Sequence, residues 1–341
     1  MSTGTAASRQ EWILFLRAFF ESQAFSGTGA AMSEKTPATQ WEVVIIGAGP
    51  AGLQAALHAA RKKVRVLVLG RPEKSSLYHA HIENYLCVEG VRLGSELLSI
   101  GMAQAKKFGA EILAQDVLGV EERGGMFHIH CESGAHLTTH ALIYATGTSR
   151  KLLKVKGEKE LTGRGVSYCV DCDINFFRNA PVAVVGNGSA AVDGALTLEK
   201  SASKVHLVAK KLDVTETLLQ RLHESGVTVL QDTWPQEIAG DTAVTGLVLD
   251  NGTTIAVEGV FIELGSKGAM ELALGIGVQL DPEDFTHIVV DKKQQTNIEG
   301  VFAAGDITGH PYQMALAVGE GCVAGMEAAT YARKKTREKN T

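Results

Sequence analysis

A chain of 341 residues is too long for one small domain, so two domains are expected. With 45% apolar residues, 21% charged residues and 37 glycines, the composition is that of a globular protein with many tight turns. A net charge of −5 with no basic stretch argues against nucleic acid as a partner, and no apolar run is long enough to span a membrane.

The first forty residues are rich in Ser, Thr, Gly and Ala and hold one apolar patch, Trp12 to Phe20, interrupted by Arg17. They read as a disordered extension with a short amphipathic helix. Alternatively the start is misassigned, and Met32 opens a polar lead-in to the first strand. No basic region precedes the patch and no small-residue cleavage site follows it, so a signal peptide is not expected. The five cysteines (87, 131, 169, 172 and 322) are too few and scattered for a disulfide framework. In a reducing compartment a close pair is more often catalytic or metal-binding than structural.

Val43 to Ile46 is a short apolar run that ends in Gly47-Ala48-Gly49-Pro50-Ala51-Gly52. Ala51 to Lys62 then has helical spacing, and Val64 to Leu69 is a second apolar run. Strand, tight turn, helix and strand make a βαβ unit. In such a unit the first glycine allows the turn. The second lets a pyrophosphate approach the backbone, and the third lets the helix pack on the sheet. The helix start offers unpaired N–H groups to the anion, so a dinucleotide site is predicted. The acid that often ends the second strand and holds a ribose is replaced by Leu69-Gly70-Arg71, with Glu73 the nearest substitute.

Leu93 to Phe108 predicts a helix, and Ala110 to Leu113 a strand. Phe127 to Cys131 and His136 to Ala145 predict two strands joined by a Ser-Gly turn. His128, His130, His136 and His140 lie in this stretch. No acid or cysteine stands at ligand spacing with them, and Cys131 is on the opposite strand face from His128 and His130. Solvated strand histidines and no metal are expected.

Between this unit and the next lies Cys169-Val170-Asp171-Cys172-Asp173. A CxxC pair at a helix start has a lowered thiol pKa, and thiolate is the species that exchanges with disulfides. Asp173 is placed to take and return the proton that moves with the electrons. Asp171 reads as a solvated turn residue. Half a zinc site would need a second ligand pair, and Cys87, Cys131 and Cys322 form none.

The second half repeats the plan. Val182 to Val185 is a strand, followed by Gly186-Asn187-Gly188-Ser189-Ala190-Ala191, a helix from Ser189 to Lys200 and a strand from Lys204 to Val208. A helix (Thr217 to Ser225), a strand (Val227 to Leu230) and a hairpin turning at Asp250-Asn251-Gly252 follow. Val260 to Gly265 echoes Ile143 to Gly147, so two related dinucleotide domains are expected. The tail holds Gly300 to Asp306, a short strand ending in Gly-Asp, and a helical stretch from Gln313 to Arg333. A strand this late must join the first sheet, which makes the first domain discontinuous. Cys172 lies close before Gly186, so the dithiol is expected to ride on the second domain.

In order and spacing, Gly47–Gly52, Ala145-Thr146-Gly147, Cys169–Asp173, Gly186–Ala191 and Gly305-Asp306 resemble the low-molecular-weight thioredoxin reductases. Gly163-Arg164-Gly165-Val166-Ser167-Tyr168 is similar to the family's lead-in to its cysteines. The resemblance runs from about Val43 to Arg333. It implies an α/β fold of two Rossmann-like, three-layer β/β/α-type dinucleotide-binding domains, the second inserted in the first. The corresponding boundaries are an extension over 1–40, an FAD-binding domain over 41–152 and 284–335, and an NAD(P)-binding-like domain with the dithiol over 153–283. The resemblance further implies that FAD contacts Gly47, Gly49, Pro50, Ala51, Gly52, Asn84, Thr146, Gly147, Gly305, Asp306 and Ala315. NADPH would be held by Gly186, Gly188, Ser189, Ala190, Lys210 and Lys211. Cys172 would lie next to the flavin, Cys169 would attack the protein disulfide, and Asp173 would be the acid–base group. The family is homodimeric and cytoplasmic. A domain rotation about Leu152–Gly157 and Asp281–Phe285 would alternate flavin reduction with dithiol reduction.

The sequence departs from the family in three places. The arginines that clamp the 2′-phosphate are replaced by Ala209-Lys210-Lys211-Leu212-Asp213, and lysine lacks the bidentate fork. The two lysines either hold the phosphate or form an ordinary solvated strand end. The family's Gly-Gly-Gln stretch gives way to Ser75-Ser76-Leu77-Tyr78-His79-Ala80-His81, and its Arg-Gln-Ala to Gln313-Met314-Ala315. Tyr78, His79 and His81 either reach the flavin or are plain loop residues. The expected function is thioredoxin-disulfide reduction with NADPH as donor. Two alternatives stay open: the same dithiol flavoenzyme fed by NADH or reduced ferredoxin, and a flavin-binding redox sensor with little turnover.

Overall fold

The computed structural model describes residues 39–147, 152–265, 269–283 and 286–339. Residues 1–38 of the expected extension, with the apolar patch at 12–20 and Met32, and residues 284 and 285 of one expected hinge lie outside them.

The chain opens with β1 (Gln40–Ile46), α1 (Pro50–Arg61) and β2 (Val66–Leu69). β1 thus begins at the last residue assigned to the extension. A small hairpin, β3 (His81–Ile82) and β4 (Arg92–Leu93), leads to α2 (Gly94–Lys107) and β5 (Glu111–Leu113). Then come β6 (Val117–Arg123), β7 (Met126–Cys131) and β8 (His136–Tyr144). These strands form one sheet in the order β5-β2-β1-β8-β7-β6. β5, β2, β1 and β8 are parallel, and β8, β7 and β6 are antiparallel. Val43 to Ile46 and all of β2 are buried, as strands covered on both faces must be. β7 instead alternates: Phe127, Ile129 and Cys131 are buried while His128 and His130 share the other face.

The second sheet is parallel throughout, in the order β12-β11-β10-β16-β9. It comprises β9 (Val166–Ser167), β10 (Pro181–Val185), β11 (Lys204–Val208), β12 (Thr228–Leu230) and β16 (Gly259–Ile262). The short helix α3 (Val170–Asp173) precedes β10, and α4 (Ser189–Leu198) and α5 (Glu216–His223) follow β10 and β11. A separate antiparallel sheet holds β13 (Pro235–Ala239), β14 (Gly246–Leu249) and β15 (Thr254–Ile255), one strand more than the predicted hairpin.

After α6 (Ala269–Leu274), β17 (Val301–Ala303) returns to the first sheet and pairs in parallel with the last three residues of β8. The second unit is therefore inserted in the first. α7 (Met314–Lys339) closes the chain and runs beyond the predicted end at Arg333. It packs on α1 through small residues. A Cβ on Gly321 would sit 2.2 Å from the carbonyl oxygen of Ala51, and one on Gly325 would sit 2.3 Å from that of Ala55. Gly321→Ala should therefore cost about 1–3 kcal/mol by overpacking. A thermal melt matching the parent's would show that the two helices separate without penalty.

Candidate active site

β1, β2, β5, β8 and β17 run parallel, so their carboxyl ends reach the same side of the first sheet. A cavity of ≈ 670 Å³ lies there, walled by residues 46–51, 69–71, 74–76, 115–117, 145–147 and 304–306. Ligands of open α/β sheets bind at this position. Gly47 has φ +118°, and a Cβ on it would meet the carbonyl oxygen of Ala145 at 2.2 Å. A Cβ on Gly52 would meet the carbonyl oxygen of Gly47 at 1.9 Å. The two glycines let α1 start tightly against β8. Gly49 is the N-cap, Pro50 follows it, no side chain caps this end, and no acid stands in the first turn. Such a helix start suits a pyrophosphate. Gly305 N–H and the Thr308 hydroxyl both donate to Glu320 on α7, at 2.7 and 2.8 Å, which fixes the turn carrying Asp306. Burial pushes the Asp306 carboxyl up, against its own backbone hydrogen bond and the charge of His310.

Of the residues predicted for this cavity, Gly47, Gly49, Pro50, Ala51, Thr146, Gly147, Gly305 and Asp306 line it. Gly52 lies beneath the wall. Asn84 and Ala315 are exposed and do not line it, although Asn84 Nδ2 donates to Gln313 Oε1 at 3.4 Å. Glu73, the candidate ribose acid, is exposed and outside the wall, whereas Arg71 is part of it. Tyr78 packs with the buried Leu53, Leu77 and Leu98, so it is a core residue, and neither His79 nor His81 lines the cavity. Leu264 and Gly265, from the segment that echoes Ile143 to Gly147, also line it, and so does Tyr312, which no sequence motif marked. The Tyr312 hydroxyl is 2.7 Å from His287 Nε2, and its ring stacks on His310.

Cys169 and Cys172 are joined by a disulfide, with Cα atoms 5.4 Å apart. Cys169 is the N-cap of α3, and its Sγ accepts the Cys172 N–H at 3.2 Å. After reduction that N–H favours thiolate at Cys169. Cys169 is half-buried and Cys172 is exposed, so the better stabilised sulfur is the less accessible one. The buried Ser167 hydroxyl donates to Asp173 Oδ2 at 2.7 Å and accepts the Cys169 N–H at 3.1 Å, tying the carboxylate to the dithiol turn. Asp171 is exposed. Val170 is buried in the core of the second sheet with Val182, Val184 and Val192. The dithiol turn is therefore packed against the second sheet. Neither cysteine lines the cavity. Phe176, close to Cys172, is 82% exposed.

The second fingerprint is built like the first. A Cβ on Gly186 would lie 2.0 Å from the carbonyl oxygen of Glu263, and Gly188 is the N-cap of α4. Ser189 and Ala190 are buried. Lys210 and Lys211 are exposed on the loop after β11, which is pinned to the fingerprint: Lys210 N–H donates to Asn187 Oδ1 at 3.0 Å. Asp213 shares that loop, its N–H donating to the Asn187 carbonyl at 2.8 Å. The start of α4 meets a residue of the first sheet, the Ser189 hydroxyl donating to Asp116 Oδ2. Asp116 is paired with Arg71 at 2.6 Å and Lys74 at 2.9 Å, and Arg71 also holds Glu132. Burial pushes the Asp116 carboxyl up, but the Ser189 and Lys74 hydrogen bonds and the charges of Lys74 and Arg71 outweigh it. The group stays below its ordinary value.

The histidines do not all match expectation. His128 and His130 are half-buried, His136 is exposed and stacks edge-on with His130, and His140 is only 4% exposed. His140 is thus a core residue, because it sits where β8 passes from its β7 partner to the centre of the sheet. Among the described residues no group of three or more His, Cys, Asp or Glu is placed to hold a metal. Burial pushes the Cys131 thiol up to about 12, helped by Glu132, which makes it inert. Among the described residues no helix is long and apolar enough to cross a membrane.

The family model described as pyridine nucleotide-disulphide oxidoreductase matches residues 41–321. Thioredoxin reductase from Aquifex aeolicus (strain VF5) is 35% identical over 302 residues, covering 85% of this chain and 93% of that one. Among solved structures, the atypical thioredoxin reductase TRi from Desulfovibrio vulgaris Hildenborough superposes with a TM-score of 0.76 at 36% identity, over 86% of this chain and 98% of that one. A ferredoxin-flavin thioredoxin reductase from Clostridium acetobutylicum superposes with a TM-score of 0.63 at 32% identity, over 86% of this chain and 99% of that one.

Proposed function

Because the chain belongs to the pyridine nucleotide-disulphide oxidoreductases, we propose that it is a flavin-dependent thioredoxin-disulfide reductase acting on thioredoxin or a thioredoxin-like protein. The observation that carries this reading is the Cys169–Cys172 disulfide on a solvent-facing turn, with Cys169 Sγ on a backbone N–H and Asp173 held beside it. FAD is the cofactor, and when bound it supplies the electron pair that opens this disulfide. Gly47, Gly49, Pro50, Ala51, Thr146, Gly147, Gly305 and Asp306 would hold it from the cavity wall, Gly52 would support the turn from behind, and Asn84 and Ala315, which stand off the wall here, complete the proposed set. Asp173 takes up and returns the proton. Cys169 thiolate attacks the partner's disulfide to give a mixed disulfide, and Cys172 displaces the reduced partner, re-forming the Cys169–Cys172 bond. Exposed Phe176 gives a protein partner an apolar foothold next to Cys172.

The flavin domain comprises residues 41–152 and 284–335, and the inserted domain 153–283. The dithiol stands off the cavity in this arrangement, which supports a rotation of the inserted domain between flavin and partner. Exposed Leu86, Val91, Leu93 and Ile100 on the flavin domain suit a homodimer contact, and a reducing cytoplasm suits the free thiols.

For the donor, the second fingerprint supports NADPH, with Gly186, Gly188, Ser189 and Ala190 at the diphosphate and Lys210 and Lys211 at the 2′-phosphate. The Asp116–Ser189 contact favours a second reading, in which reduced ferredoxin feeds the flavin and no nucleotide is needed. Anaerobic titration of the oxidised flavoprotein decides between them. Bleaching by NADPH supports the first reading, and bleaching by reduced ferredoxin alone supports the second. If neither donor, nor NADH, leads to thioredoxin reduction, the protein is not a reductase of this kind.

A further inference from the structure

We infer that Asp116 sets donor selectivity at the second fingerprint: its carboxylate stands at the start of α4 in the place of a dinucleotide's diphosphate, and the two compete. The inference rests on the reading of Gly186–Ala191 as a dinucleotide site. Ser189 is the first residue of α4, Gly188 is the N-cap, and α4 has no side-chain cap or acid of its own in the first turn. The N–H groups of such a helix start are where an anion binds. Here a protein carboxylate reaches the first residue of that helix through that residue's hydroxyl. Ser189 is 1% exposed and Asp116 5% exposed, with the Ser189 hydroxyl donating to Asp116 Oδ2.

The carboxylate is not free to swing aside. Arg71 and Lys74 brace it from the first sheet, and Glu132 locks the other arm of Arg71. The same face is held at two further points. Leu118 packs into the core of the second sheet, and the Thr215 hydroxyl donates to the Glu132 carbonyl at 3.1 Å. A diphosphate on the α4 N–H groups would come close to this carboxylate and would have to compete with it for the Ser189 hydroxyl and for the charges of Arg71 and Lys74, which the carboxylate already engages. Nucleotide binding therefore requires the contact to open, and its apparent affinity falls by the fraction of molecules in which it is open. A protein donor that needs no diphosphate site is untouched by this competition.

The first fingerprint is the internal comparison. Its helix start has no side-chain cap and no acid in its own first turn; Asp116 lines the same cavity, but its hydroxyl partner is Ser189 at the second fingerprint. Two helices of similar design thus differ in one contact: a carboxylate is hydrogen-bonded to the first residue of α4, and no such bond is made to the first residue of α1.

The test is isothermal titration calorimetry of the oxidised flavoprotein with NADP⁺ and with NAD⁺, neither of which reacts with oxidised flavin. Asp116→Asn should bind at least one of them at least about tenfold more tightly than the parent. Ser189→Ala, which leaves the Arg71–Asp116–Lys74 cluster whole, should gain in the same direction by less. The inference is overturned if Asp116→Asn keeps its flavin spectrum and binds no tighter. It is equally overturned if Asp116→Asn loses its flavin and Ser189→Ala binds no tighter. The parent reduced with dithionite and then mixed with oxidised thioredoxin tests the dithiol reading separately, since no nucleotide takes part.

Discussion

Cys172→Ser should lose thioredoxin reduction by at least about 10³-fold, or about 4 kcal/mol of transition-state stabilisation. It should also accumulate a covalent complex with thioredoxin. Cys169 keeps its thiol and the N–H of residue 172, so the first exchange still proceeds. Without the Cys172 thiol nothing displaces the partner, and the mixed disulfide persists. Cys169→Ser should lose activity to the same extent but trap nothing. Non-reducing electrophoresis and mass spectrometry of the two variants distinguish the roles. Trapping by Cys169→Ser instead would mean that exposure, which favours Cys172, outweighs thiolate stabilisation, which favours Cys169. Normal turnover by either variant would end the dithiol mechanism.

Gly47→Ala should yield a protein that no longer retains flavin. The new Cβ would lie 2.2 Å from the Ala145 carbonyl oxygen, at a φ of +118° that alanine avoids. Either β1 and β8 part at their ends or the start of α1 shifts, and both distort the cavity wall. A penalty of about 3 kcal/mol or more corresponds to over about 100-fold in flavin affinity. The readout is flavin absorbance per chain after gel filtration. Gly90→Ala is the control, because Gly90 also has positive φ but nothing lies within 4 Å of its Cβ position. Full flavin content in Gly47→Ala would mean that this turn does not shape the site.

Much of the architecture is legible in the sequence because its signals are local. Val43 to Leu69 carries an apolar run, a glycine turn and an alanine-rich helix in succession, and each is set by its own residues. The same holds for Val182 to Val208. The return of Val301 to Ala303 to the first sheet follows from topology, since a late apolar strand needs a partner. β6 carries little sequence signal because its second half, Glu121-Glu122-Arg123, is charged and edge-exposed, and β13 carries little because it opens on Pro235. α7 was cut short at Arg333 because its last turns are charged and lack an apolar stripe.

The cavity wall divides the same way. Gly47, Thr146 and Asp306 belong to motifs that can be read, whereas Tyr312 and Leu272 are brought in by the fold. Asp116 is the clearest case. Its contact with Ser189 spans 73 positions, and nothing in Ala114-Gln115-Asp116-Val117 marks the carboxylate as a neighbour of the second fingerprint. Tyr78, which the sequence leaves open between a flavin contact and a loop residue, packs against Leu53 and Leu98, a neighbourhood that only the fold brings together.

The pairing of β17 with β8 also sets an order of events at the ribosome. The chain emerges at about 5–20 residues per second, N-terminus first. The inserted sheet has all its strands once Ile262 is out, while the first sheet still lacks β17 and the turn at Asp306. The later part of the chain completes the older domain, so the nascent protein can own a finished dithiol carrier before it can own a cofactor.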